Sequence, residues 1–334
     1  MRKTGSPPGG GRSARTARKA GVLLNAAACA ALVGALTGLA AAGAVKASAP
    51  AAAHPGAPAQ AGAVRVGPAE VEPGEFLRVL AQGSPRELSG EFGGTAFRFY
   101  EGPGGQAVAL LSASYDLEPG RYWVVVRTPS GEVGRQAVVV RPRAFPVQRL
   151  RVSASKEALV RSEDPQLVAR RRREAEEVRE ARSDPSQRPL WDGPFIWPLQ
   201  GPIRITSEYG LIREVNGRVT GRHSGLDLAA PEGTPVRAAN GGRVVLARDH
   251  LVTGNTVILD HGWGLFTSYL HLSAILVREG QVVRKGEVIG RVGATGLSTG
   301  PHLHWAAWLP DGFIDPRVLT KGPLWPPDFA SAGI

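Results

Sequence analysis

Apolar residues along this chain fall mostly in short runs with a period near two. In the first half they occupy residues 76–80, 96–100, 108–111, 122–126 and 137–140. Turn-forming residues separate these runs: Pro73 and Gly74, Gly93 and Gly94, the stretch 102–105, Pro119 and Gly120, and the stretch 129–131. Runs of this length between turns predict a small β-sandwich module over 63–145. The segment holds no histidine and no cluster of catalytic groups, so a spacer or positioning role is expected.

The pattern changes over 146–188. Four consecutive arginines, Arg170 to Arg173, are followed by Glu174, Glu176, Glu177 and Glu180. Arg170 with Glu174 and Arg173 with Glu177 are four apart, the spacing of neighbours on one helix face. A solvated, charged connecting helix is expected, ending before Asp184 and Pro185. Residues 189–322 return to short runs, at 204–207, 242–247, 256–260, 265–270, 287–292 and 303–309, among many glycines. No amphipathic helix of useful length is visible there, so an all-β domain with long loops is expected, with a short tail over 323–334. The overall expectation is a mainly β chain.

The N-terminus has the marks of export. Basic residues up to Lys19 precede an apolar run over 20–45, long enough to span a membrane if uncut, with small residues near Ala44 suited to cleavage. Residues 1–45 therefore read as a signal peptide or membrane anchor, and 46–62, rich in Pro, Ala and Gly, as a disordered linker. The net charge is +11 over 334 residues, but the first 62 residues carry seven Lys or Arg and no acid, leaving +4 for the rest. That balance argues against a nucleic-acid partner. Cys29 is the single cysteine, so no internal disulfide and no cysteine-based zinc site can form. The residues upstream of Cys29 fit a lipidation site poorly.

Six of the seven histidines lie between His223 and His304. In His223-Ser224-Gly225-Leu226-Asp227 the even separation places imidazole and carboxylate on one side of an extended segment. Together they are half of a zinc site or a hydrogen-bonded pair. His302 and His304 flank Leu303, so in a strand both project to one face, about 6–7 Å apart. One would bind metal and the other face substrate, while Leu303, Trp305, Ala307 and Leu309 face the core. In the run 266–271, His271 shares the parity of Tyr269, opposite to Leu270 and Leu272. His250 and His261 read as structural. Zinc-activated water also needs a general base to take its proton, and the glutamate of a His-Glu-x-x-His motif is absent, which leaves His302 or His271.

These motifs resemble the lysostaphin-like (LytM-like) zinc endopeptidases of bacterial cell walls. The resemblance rests on His223-x-x-x-Asp227, on Tyr269-Leu270-His271-Leu272, and on Ser298-Thr299-Gly300-Pro301-His302-Leu303-His304, in matching order over roughly 120 residues. The β-module, charged helix and Trp191-Asp192-Gly193 junction resemble a subgroup with an Ig-like module ahead of the peptidase. The resemblance implies an antiparallel β-sheet peptidase domain with an open groove. It implies zinc held by His223, Asp227 and His304, with His302 and His271 assisting catalysis and stabilising the oxyanion. Peptidoglycan stems or cross-bridges would be the substrate, and the periplasm, envelope or exterior the location. A catalytically inactive scaffold that activates another wall hydrolase is the alternative, though such members have usually lost ligands. One departure is Ala306, where many members carry an acid; it would alter the groove-facing surface of the strand.

Overall fold

The computed structural model describes residues 63–326 and Phe329. The expected export segment and disordered linker lie outside these residues, as does most of the expected tail.

Two sheets form the first unit. One has the order β1 (Val64–Gly67), β3 (Phe76–Ala81), β7 (Ala107–Ser112), β6 (Tyr100–Glu101). The other has the order β2 (Glu70–Val71), β9 (Gly131–Val140), β8 (Gly120–Thr128), β4 (Ser89–Phe92), β5 (Thr95–Arg98). Leu77, Val79 and Leu111 from the first sheet share an apolar cluster with Val124, Val126 and Val138 from the second. In β8 the alternation is direct: Val124 and Val126 are buried, while Trp123 and Arg127 are exposed. The four-stranded sheet behaves differently. Its other face, with Leu80, Tyr100, Val108 and Leu110, joins the core of the domain that follows. Burial on both faces explains why residues 107–112 show no polar alternation.

The connecting segment contains a strand and two helices, β10 (Val147–Leu150), α1 (Ala154–Arg161) and α2 (Pro165–Ala181). Ser153 caps α1 by accepting from the Lys156 amide, and Asp164 caps α2 by accepting from Gln166, with Pro165 at the first helical position. The expected pairs form, Arg170 with Glu174 at 2.6 Å and Arg173 with Glu177 at 3.9 Å. The helix is exposed or half-buried along most of its length, with two departures. Glu174 is buried, and its two carboxylate oxygens accept the Leu251 amide at 2.9 and 3.0 Å. Val178 packs into the core beside it. A four-residue spacing identifies the ion pair on the helix, but not the strand end that captures the same carboxylate.

The second domain is built on an antiparallel sheet of eight strands. Its order is β11 (Ile205–Ser207), β14 (Gly225–Ala229), β22 (His302–Leu309), β18 (Leu265–Leu272), β17 (Gly254–Gly262), β16 (Gly242–His250), β20 (Val282–Val283), with β23 (Gly312–Ile314) paired to β22. Beside it lie β15 (Pro235–Arg237), β21 (Val288–Arg291) and β19 (Ala274–Ile275). A further sheet joins β10, parallel, to β12 (Ile212–Val215), which pairs antiparallel with β13 (Arg218–Arg222). The β12–β13 turn is Asn216 and Gly217, both with positive φ, the residues a tight hairpin turn favours. Between residues 182 and 326 the one helical element is the short 3₁₀ turn Pro316–Thr320.

Candidate metal centre

Strand pairing brings the distant donors together. β14 and β22 pair with Asp227 directly opposite His304, and Leu228 opposite Leu303. Close approach is needed here, because a Cβ on Gly225 would lie 2.3 Å from the Trp305 carbonyl oxygen and 2.8 Å from Ala306 Cβ. Ala306 is therefore buried between strands, and the expectation that it shapes an open groove surface is corrected. His223, just ahead of β14, turns its ring onto the same face. His223 Nε2, His304 Nδ1 and Asp227 Oδ1 stand 2.9 Å from one another. Among the described residues this is the one group of three such side chains with donor atoms close enough for a metal ion.

The proton inventory supports a cation at this point. His223 Nδ1–H donates to the Glu208 carbonyl at 2.7 Å, leaving Nε2 bare toward the cluster. His304 has Ser224 Oγ 3.4 Å from Nε2, so its Nδ1 faces the cluster. Burial pushes the His223 pKa down to about 4, with Arg213 adding to the effect, and burial also lowers that of His304. Both rings are neutral at neutral pH, the form in which imidazole binds metal. Burial alone would raise the Asp227 pKa, but His223 and Arg213 outweigh it and hold the carboxyl well below its usual range. Two bare nitrogens and a carboxylate oxygen thus converge with no proton to share, a donor set that fits zinc.

His302 and His271 border the same cavity. His302 Nδ1–H donates to the Gly300 carbonyl at 2.8 Å, with Ser298 Oγ at 3.2 Å. Its Nε2 lies 3.7 Å from Asp227 Oδ1. His271 Nδ1–H donates to the Thr295 carbonyl at 2.8 Å, and its ring centroid is 5.0 Å from that of His302. Its pKa is lowered to about 3, chiefly by burial and then by His302 and His304.

The route by which His271 reaches the site corrects the parity argument. Tyr269 does not face the site: it pairs with Trp305, and its hydroxyl accepts from the Ala239 amide at 2.8 Å. Leu270 pairs with His304 and lines the cavity. Strict alternation would send His271 to the Tyr269 side. A left-handed backbone, φ 62°, returns it to the groove. His250 and His261 stand away from the cluster. His261 bridges the Gly241 carbonyl and Thr267 Oγ1, and His250 contacts Glu177.

The five residues open on a cavity of about 410 Å³. Two of its walls were not foreseen. One is Arg213, on β12, which donates to Asp227 Oδ2 at 2.8 Å. The other is the connecting segment, which contributes Gln148, Leu150 and Val152. Gln148 accepts from Ser207 Oγ at 3.0 Å, and Lys156 reaches the Ser298 carbonyl on the opposite rim. The side chains of β10 are exposed or half-buried, so it shows no apolar stripe, and its backbone pairing to β12 holds it. The Asn216-Gly217 pair was a readable signal for the hairpin that carries Arg213.

A family model described as Peptidase family M23 matches residues 221–316, the segment holding His223, Asp227, His271, His302 and His304. These residues belong to peptidase family M23. The chain is 45% identical over 111 residues to the peptidoglycan DD-endopeptidase ShyA of Vibrio cholerae, covering 33% of this chain and 26% of that protein. It is 47% identical over 104 residues to the DD-carboxypeptidase/endopeptidase Mpg of Neisseria meningitidis serogroup B, covering 31% and 24%. The chain thus matches about a quarter of the length of these relatives. A crystal structure assigned to peptidase M23 from Pseudomonas aeruginosa has 29% identity and a TM-score of 0.50, covering 74% of this chain and 93% of that one. That likeness extends beyond the M23 domain.

Proposed function

We propose that the protein is an exported zinc metalloendopeptidase that hydrolyses peptide bonds in peptidoglycan stems or cross-bridges. The observation that carries this reading is the convergence of His223 Nε2, Asp227 Oδ1 and His304 Nδ1 at 2.9 Å beneath a cavity bordered by two further histidines. Similarity to proteins named as peptidoglycan endopeptidases supports the substrate class. The complete donor set counts against an inactive scaffold. Residues 63–145 serve in this reading as an Ig-like positioning module, and residues 1–45 as the export segment.

Zinc bound by these three residues would supply Lewis acidity toward the scissile carbonyl and make a neighbouring water easier to deprotonate. The chain's own groups supply the rest. His302, whose Nδ1 proton is committed to Gly300, presents a bare Nε2 to the cavity and takes the proton of the attacking water. His271 is fixed in the same sense by Thr295. As a neutral ring with Nδ1–H engaged, it offers the cavity an acceptor, so it orients a water or a substrate N–H. Oxyanion stabilisation by His271 would require the cation, which burial opposes. Gln148, Leu150 and Val152 form one side wall for the peptide.

His304→Ala tests the site directly. The variant is expected to keep the fold, to lose bound zinc by elemental analysis, and to release no muropeptides from sacculi. Retained zinc at the wild-type ratio would overturn the ligand set.

A further inference from the structure

Asp227 divides its two oxygens between different partners. Oδ1 points at His223 and His304, whereas Oδ2 accepts from Arg213 Nη2 at 2.8 Å. A carboxylate with both oxygens free can turn and give a metal one oxygen or two. Here a guanidinium occupies the second. We propose that Arg213 is a positioning residue that holds Asp227 as a one-oxygen ligand and so preserves coordination space for water and the substrate carbonyl. The proposal rests on the zinc reading above.

The backbone of Arg213 is pinned on both sides. It pairs with Gly221 on β13 and with Gln148 on β10, and Thr220 Oγ1 donates to its carbonyl at 3.2 Å. The side chain is therefore launched from a strand that cannot readily shift. Among the described residues no other Arg or Lys is ion-paired with Asp227. The charge also acts on the metal. A guanidinium on Oδ2 draws electron density from the carboxylate, so Asp227 neutralises less of the charge of a bound ion, which keeps that ion a stronger Lewis acid. Lysine has the charge but neither the planar head nor the reach of a guanidinium. Because β10 comes from the connecting segment, the strand that carries Arg213 is braced by residues outside 221–316.

The test uses the full chain with Arg213→Met and Arg213→Lys. Two readouts bypass activity: the rate and extent of zinc transfer to a chelating dye, and the visible spectrum after cobalt(II) replaces zinc. Arg213→Met is expected to shift zinc affinity by about 10–100-fold, towards tighter binding and slower transfer, because it removes a cation beside the metal and frees a second ligand oxygen. Its cobalt absorption should weaken, because a second carboxylate oxygen raises the coordination number. Arg213→Lys should fall between Met and wild type in both measurements. Zinc transfer and cobalt spectra unchanged from wild type would overturn the proposal. If Arg213→Met does not fold, Arg213→Lys decides by the same two readouts. A wild-type chain that binds neither metal would instead refute the zinc reading itself.

Discussion

Asp227 and His304 are cross-strand partners, directly opposite each other on β14 and β22. Their separation of 77 residues is closed by sheet register alone. Register also accounts for the selectivity of the arrangement. A one-residue slip would turn His304 into the core and Leu303 or Trp305 into the groove. Leu303 and Trp305 are fully buried, and burying a side chain of that size is worth about 1.5–3 kcal/mol. The apolar face of β22 therefore holds the metal face in place.

His302, on the same strand, is proposed as the proton acceptor rather than as a ligand. His302→Ala is expected to retain zinc and lose on the order of 10²–10⁴-fold in kcat. Metal analysis beside steady-state kinetics separates the two effects. Loss of zinc with loss of activity would make His302 a ligand instead.

His271 reaches the groove because its backbone is left-handed. Asparagine tolerates that conformation, whereas a β-branched residue does not. His271→Asn should melt near wild type and lose activity. His271→Val should be destabilised further, by about 1–3 kcal/mol. Equal melting temperatures for the two variants would show that the backbone is not constrained here.

Asp311 sits in the turn between β22 and β23, against β7 of the first unit, and both of its oxygens accept the Ser112 amide, at 2.9 and 3.0 Å. Burial raises its pKa from 3.8 to about 7, against the opposing effect of those hydrogen bonds. Between these values the folded chain holds a proton that the unfolded chain has lost. Stability from this group is present below pH 4, falls as pH climbs to about 7, and is level above. Asp311→Asn should remove that slope, melting like wild type near pH 4 and above it at pH 8. Parallel melting curves for the two proteins across that range would exclude the effect.

The sequence carried the elements that bury alternate residues and the residues that hold chemistry. β8 and β22 were readable because one parity is apolar. His223, Asp227 and His304 were readable from spacing together with family likeness. What escaped has physical reasons. β10 has no apolar stripe, because backbone pairing holds it in place. The burial of Glu174 is not legible, because its partner, the Leu251 amide, lies just past the end of β16, 77 residues along the chain. His271 broke alternation through a single dihedral angle. Arg213 acts across a hairpin from a short, half-buried strand with no motif to mark it.

The most direct test is muropeptide mass spectrometry of purified sacculi treated with the full chain, with and without a zinc chelator and after zinc is restored. The account predicts new peptide ends that disappear with the chelator and return with zinc. Undiminished cleavage by zinc-free protein, or no cleavage by protein carrying stoichiometric zinc, would contradict it.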